Sequence, residues 1–213
     1  MTRVFLASRN PGKLVEMRRI LAAHVGDVEV LGLDDVPAYD EPAETEATFE
    51  GNALLKARAG LEATGLASVA DDSGLCVDAL NGMPGVLSAR WSGTTRADRA
   101  EVDRANNELL LQQLSDVPDA RRGAHFTCAV ALACPAASGG VQELVVHGEM
   151  PGAVIRETRG TGGFGYDVLF VATGHTRTSA ELSVEEKDAV SHRGKALRAL
   201  APLVAEALAD RPG

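Results

Sequence analysis

Two adjacent carboxylates, Asp71 and Asp72, interrupt an apolar run that reads Val69-Ala70-Asp71-Asp72-Ser73-Gly74-Leu75-Cys76-Val77-Asp78. Residues 67–70 have the small, apolar character of a buried strand, and the acids stand at its mouth. Ionised carboxylates are costly to bury without cations or hydrogen-bond donors. Any fold of this chain must therefore bring positive charge to this point. A hard divalent cation, which takes oxygen ligands, is one economical answer. Alone the pair is a weak signal, since adjacent acids often just end strands. The apolar sequence on both sides and the Ser-Gly that follows strengthen it.

The totals narrow the classes. A chain of 213 residues suits one large domain over 1–213, or two closely joined lobes, with ample core. A net charge of -9 argues against broad duplex-DNA or membrane-surface binding, both of which favour basic faces. It leaves room for a small anionic ligand held by a few local cations. Cys76, Cys128 and Cys134 are odd in number and lack CxxC spacing, so they read as buried thiols in a reducing compartment. No run approaches the ~20 apolar residues of a membrane span, and no signal peptide precedes Val4-Phe5-Leu6-Ala7. A soluble, cytoplasmic protein is the expectation.

Residues 3–7 predict a strand, 8–12 a loop, 13–24 a helix with Leu14, Met17 and Leu21 on one face, and 28–31 a second strand. That is the usual opening of an α/β sheet. Pro37, Pro42, Asp40, Glu41, Glu44 and Glu46 mark an acidic loop, followed by a helix over 48–64 that Gly65 ends. A helix over 96–114 should face inward through Val102, Ala105, Leu109 and Leu110. Residues 124–134 alternate as a strand with Phe126, Cys128, Val130 and Leu132 on one face, and 141–148 is its expected antiparallel partner. Strands are expected at 153–157 and 168–171. Ser183 and Glu186 form a capping box. Pro202 should kink or break the last helix, 192–209.

Four stretches can carry chemistry. Ser8-Arg9-Asn10-Pro11-Gly12-Lys13 sits between a strand and a helix start, where free N–H groups and the helix dipole suit a phosphate; an ordinary strand-to-helix turn would look similar. It lacks Walker A spacing. Gly160-Thr161-Gly162-Gly163-Phe164-Gly165 matches GxGxxG literally, but a β-rich stretch follows it and not a helix, which excludes a dinucleotide fold. A ligand-hugging loop with Phe164 stacked on a base fits as well as a plain connection. Lys187 and Ser191-His192-Arg193-Gly194-Lys195 gather donors at a helix junction, although such clusters are usually solvated. Glu44 could join Asp72 on a cation, although acidic loops are usually solvated too.

Taken together, SRNPGK, FEGNALLKA, ADDSGLCVDALNGMPGVLSARW, GTGGFGYD and EEKDAVSHRGKAL resemble, in order, the inosine/xanthosine triphosphate pyrophosphatases. These enzymes hydrolyse non-standard purine nucleoside triphosphates. The similarity spans residues 4–200. The sister septum-inhibitor-like pyrophosphatases resemble the chain less, because their first loop carries a serine-proline-arginine-arginine pattern. The resemblance implies an α/β fold with an elongated mixed β-sheet flanked by helices, in two lobes with a nucleotide-binding cleft between them. It also implies a homodimer and a Mg²⁺ requirement.

The resemblance further implies the reaction NTP + H₂O → NMP + pyrophosphate on dITP, ITP and XTP. Ser8, Arg9, Asn10, Pro11, Gly12, Lys13 and Lys56 would hold the phosphates. Asp72 would be metal ligand and proton acceptor, Glu44 a second metal ligand, and Ser73 a substrate contact. Phe164, Gly165, Tyr166, Asp167, Lys187, His192 and Arg193 would take the nucleoside end. Asp71 is expected to support Asp72 from behind or to be purely structural. The rival readings are a pyrophosphatase for other modified nucleotides on the same fold and a non-catalytic nucleotide sensor.

Overall fold

A computed structural model describes residues 2–9, 11–23, 28–94, 98–136 and 139–209. Its centre is a six-stranded mixed sheet in the order β2-β1-β3-β4-β5-β6. The strands are β1 Thr2–Leu6, β2 Val28–Leu31, β3 Ala67–Val77, β4 Gly123–Pro135, β5 Val141–Val154 and β6 Phe170–Ala172. The helices are α1 Pro11–Ala22, α2 Phe49–Thr64, α3 Arg99–Gln113, α4 Val184–Val190 and α5 His192–Ala209. β1 runs parallel to β2 and β3, with Val4 opposite Val30 and Ala67. β5 and β6 are antiparallel, with Ala153 opposite Val171. The α/β class expected from the strand-helix-strand opening is the one observed.

The chain divides into two compact units, each assembled from separate segments. The first comprises Met1–Asp72, Cys128–Gly148 and Arg193–Gly213. One of its cores joins Val4, Leu6, Met17, Leu21 and Val69 to Cys128, Val130, Leu132 and the α5 residues Leu197, Leu200 and Val204. A second core sets the α2 residues Ala53, Ala57 and Leu61 against Phe5, Ala70, Ala129, Ala131 and Ala133. β4 therefore buries both faces from Cys128 to Cys134, where the sequence pattern suggested one. Its odd positions are alanines, small enough to let a helix lie close. α2 starts at the Thr48 cap, whose Oγ1 accepts the Gly51 N–H at 3.0 Å, and ends at Gly65 with φ 68°.

β3 departs from expectation. It does not end at the acids but runs through them to Val77, eleven residues in all, ten of them buried. The ladder persists because the carboxylates are neutralised where they stand. Pro202 likewise leaves α5 unbroken, since Ala201 and Val204 beside it are fully buried and packing outweighs one lost helical hydrogen bond. The part of the expected first helix beyond Ala23 lies outside the described residues.

The second unit comprises Ser73–Thr127 and Glu149–His192. Its core holds Leu75, Val77, Leu110, Leu114, Phe126, Met150, Tyr166, Leu169 and Phe170. α3 begins at the Asp98 cap and buries Asn106 and Asn107 with Leu110, whereas Val102, Ala105 and Leu109 are only partly covered. Ser183 and Glu186 cap α4 reciprocally, Ser183 N–H to Glu186 Oε2 at 2.8 Å and Glu186 N–H to Ser183 Oγ at 3.2 Å. The stretch expected to be a strand from 168 begins as a short 3-10 turn, Gly165–Val168, and only Phe170–Ala172 pairs. All three cysteines are free and buried. Among the described residues no helix is long and apolar enough to cross a membrane.

Candidate functional site

Along β3, successive side chains take opposite faces, so Asp71 and Asp72 enter different surroundings. Asp71 is 4% exposed. Its Oδ2 accepts Lys13 Nζ at 2.8 Å and Arg193 Nε at 3.1 Å. Burial alone would push this carboxyl up, but the charges of Lys13 and Arg193, with the Lys13 hydrogen bond, hold it well below the usual carboxylate range. Cys128 Sγ lies 3.8 Å from the same oxygen. Burial, and then the charge of Asp71, raises that thiol far above its ordinary value, so it stays protonated.

Asp72 faces α2 and the acidic loop. Asn52 Nδ2 donates to its Oδ2 at 2.9 Å. Lys56 Nζ lies 4.0 Å from Asp72 Oδ1 and donates to Glu44 Oε1 at 2.6 Å. Burial by itself would lower the Lys56 pKa; the Glu44 hydrogen bond and charge, helped by Asp72 and Asp71, raise it instead. The expected pairing of Glu44 with Asp72 thus appears as two carboxylates flanking one ammonium. Among the described residues no set of three or more His, Cys, Asp or Glu could hold a metal. Two carboxylates nevertheless fit Mg²⁺, which binds through one or two of them and takes its remaining oxygens from water and phosphate.

The other residues expected to hold phosphates take these places. Gly12 and Lys13 lie in the first turn of α1. Arg9 is exposed and pairs with Glu41 at 2.7 Å. The Ser8 N–H donates to Leu6 O at 2.9 Å. Asn10 lies outside the described residues. Arg193, assigned by resemblance to the nucleoside end, shares Asp71 with Lys13.

The second unit gathers most of the other expected residues. Phe164 is 47% exposed, with Lys187 Nζ 5.4 Å and Arg99 Cζ 6.0 Å from its ring centroid. Asp167 accepts the Phe164 N–H at 2.9 Å and Lys187 Nζ at 2.5 Å. Gly165, at φ 61°, donates its N–H to Asp103 Oδ2 at 2.8 Å and accepts Asn107 Nδ2 at 2.9 Å. Tyr166 is 4% exposed, and its hydroxyl donates to Ser88 O at 3.0 Å. Its burial, and then Asp103, raises the phenol's pKa, so the ring belongs to the core. His192 is buried and stacks on Phe126, 5.0 Å between ring centroids. Ser73 lies half-buried on β3.

Sequence reasoning passed over Asn52, Arg99, Asp103 and Asn107. Their signal was spacing: Asn52 stands four residues before Lys56, and Arg99, Asp103 and Asn107 recur every four residues on one helix face.

A family model described as the Ham1 family matches residues 4–203. The chain is 62% identical over 212 residues to the dITP/XTP pyrophosphatase of Nocardia farcinica, covering 99% of this chain and 98% of that protein. Among solved structures it is similar to the nucleoside-triphosphatase / dITP/XTP pyrophosphatase of Mycobacterium abscessus, with a TM-score of 0.76 at 57% identity over 94% of this chain and 100% of that one. A HAM1 protein from Coxiella burnetii superposes with a TM-score of 0.84 at 39% identity, over 97% and 100% of the two chains. The chain belongs to the Ham1 family.

Proposed function

We propose that this chain is a nucleoside triphosphate pyrophosphatase that hydrolyses dITP, ITP and XTP to the monophosphate and pyrophosphate. The observation that carries the reading is the cluster in the first unit: Lys13 and Arg193 on Asp71, and Lys56 between Glu44 and Asp72. This chemistry suits a triphosphate, and it occurs in a chain whose relatives carry that activity in their names.

The phosphates fall to Lys13, Lys56 and the N–H groups that open α1. Mg²⁺ would be held by Asp72 and Glu44 and, when bound, would neutralise charge developing on the pyrophosphate leaving group. Asp72 orients the attacking water and takes its proton. Positioning and electrostatics supply most of the rate in such transfers.

The nucleoside end falls to Phe164, whose exposed ring can stack on a purine, with Lys187 and Asp167 beside it and His192 as donor. Hypoxanthine and xanthine present a 6-keto acceptor and an N1–H donor, and adenine the reverse. A polar mismatch of that kind discriminates by ~10⁴ or more. Homodimer assembly and a cytoplasmic location complete the proposal.

The test is a panel of nucleoside triphosphates with Mg²⁺, scoring pyrophosphate against orthophosphate. ITP, dITP and XTP should release pyrophosphate, and Asp72→Asn should bind ITP without turning it over. Faster hydrolysis of a modified pyrimidine triphosphate would instead indicate the other-nucleotide reading. Absence of pyrophosphate from every nucleotide would indicate a sensor.

A further inference from the structure

Asn52, in the first turn of α2, is 0% exposed, and both ends of its amide are used. Oδ1 accepts the Glu46 backbone N–H at 2.9 Å, and Nδ2 donates to Asp72 Oδ2 at 2.9 Å. The polarity is not interchangeable. A backbone N–H can only donate, so the amide oxygen must face it, and the NH₂ group must then face the carboxylate. One turn further along the same face, Lys56 reaches the same two segments, at Glu44 Oε1 and toward Asp72 Oδ1. α2 therefore joins the acidic loop to β3 by two rungs, one neutral and one charged.

We infer that Asn52 is a positioning residue for Asp72. Its amide ties Oδ2 and so sets the roll of the carboxylate, with Oδ1 toward Lys56. Through Glu46 it also registers Glu44 against Asp72. The catalytic consequence rests on the proposed function; the pairing itself rests on geometry alone. A buried asparagine that merely satisfies the acidic loop would need only its oxygen, whereas the positioning role needs the NH₂ group.

That difference defines the experiment. Asn52→Asp keeps the acceptor for Glu46 and the side-chain shape, but sets a second carboxylate against Asp72. Adding Asp72→Asn restores the hydrogen bond with reversed polarity. A double-mutant cycle on the nucleotide-free protein should show N52D melting below wild type, and N52D/D72N melting above N52D. With ITP, N52D should lose about tenfold or more in kcat, as loss of a group that orients a ligating carboxylate typically does. Its KM should change by less than its kcat, because Lys13, Lys56 and Arg193, which would also meet the phosphates, are untouched.

Wild-type kcat in N52D, a loss carried wholly by KM, or a double variant no more stable than N52D would overturn the inference. If N52D does not fold alone, recovery of the folded circular dichroism spectrum in N52D/D72N supports it, and no recovery overturns it. Should the wild type release no pyrophosphate from ITP, the proposed function falls, while the melting comparison still decides the pairing.

Discussion

A carboxylate that is 4% exposed keeps its charge only if cations reach it, and Asp71 has two, Lys13 and Arg193. Its folded-state pKa is depressed. The stabilisation is therefore fully present above the unfolded value, about 3.9, and is lost as pH falls from there toward the folded value. Asp71→Asn leaves two largely buried cations without their anion, which should cost on the order of 3 kcal/mol at pH 7. Urea melts from pH 7 down to pH 3 check the sign. The gap between wild type and variant should hold to about pH 4 and close below it; a gap already closing between pH 7 and 5 would refute the assignment. The resemblance ranks Asp71 below Asp72, and nothing local ties position 71 to Arg193, 122 residues further on. The stretch 8–13 proposed for the phosphates, by contrast, is contiguous, and its placement between a strand and a helix is legible from composition.

At the scale of elements, α2 lies so close to the sheet that one position reverses a helix rule. Alanine is normally better than glycine in a helix interior by about 1 kcal/mol. At Gly60 an added Cβ would fall on Ser68 Oγ, with Phe5 Cε1 2.9 Å away. Gly60→Ala should therefore destabilise the protein, by about 1–3 kcal/mol as overpacking does. Ser68 Oγ has no hydrogen-bond partner among the described residues, so Ser68→Ala should be well tolerated and should recover part of the loss in the double variant. Chemical denaturation of the three variants reads this out, and a Gly60→Ala protein at least as stable as wild type would sink the packing argument. The existence and type of α2 are legible from the stretch 48–64 and the Gly65 that ends it. The length of β3 is not, because acids ordinarily end buried strands, and only the partners that arrive in the fold keep this one running.

The whole molecule carries a net charge of -9 and is proposed to bind a polyanion. Its opening strand-helix-strand unit is readable because it is local in sequence. The two compact units are not, since each is assembled from distant segments. That assembly decides the electrostatics. In the first unit three cations, Lys13, Lys56 and Arg193, meet three carboxylates, Glu44, Asp71 and Asp72. Taken as a set these side chains are neutral, and in an acidic protein they offer a triphosphate no net attraction at long range. A divalent ion held by Asp72 and Glu44, as proposed, would supply the missing positive charge. Chelation should then act on binding as well as on turnover. With EDTA in excess, ITP hydrolysis should cease and inorganic triphosphate should bind at least tenfold more weakly, a change of about 1.4 kcal/mol. Mg²⁺ should restore both, whereas K⁺ at matched ionic strength should not. Calorimetry with inorganic triphosphate isolates the phosphate end from any contribution of the base. Undiminished binding in EDTA would mean that the lysines and Arg193 suffice, and would remove the divalent ion from the ground state of this site.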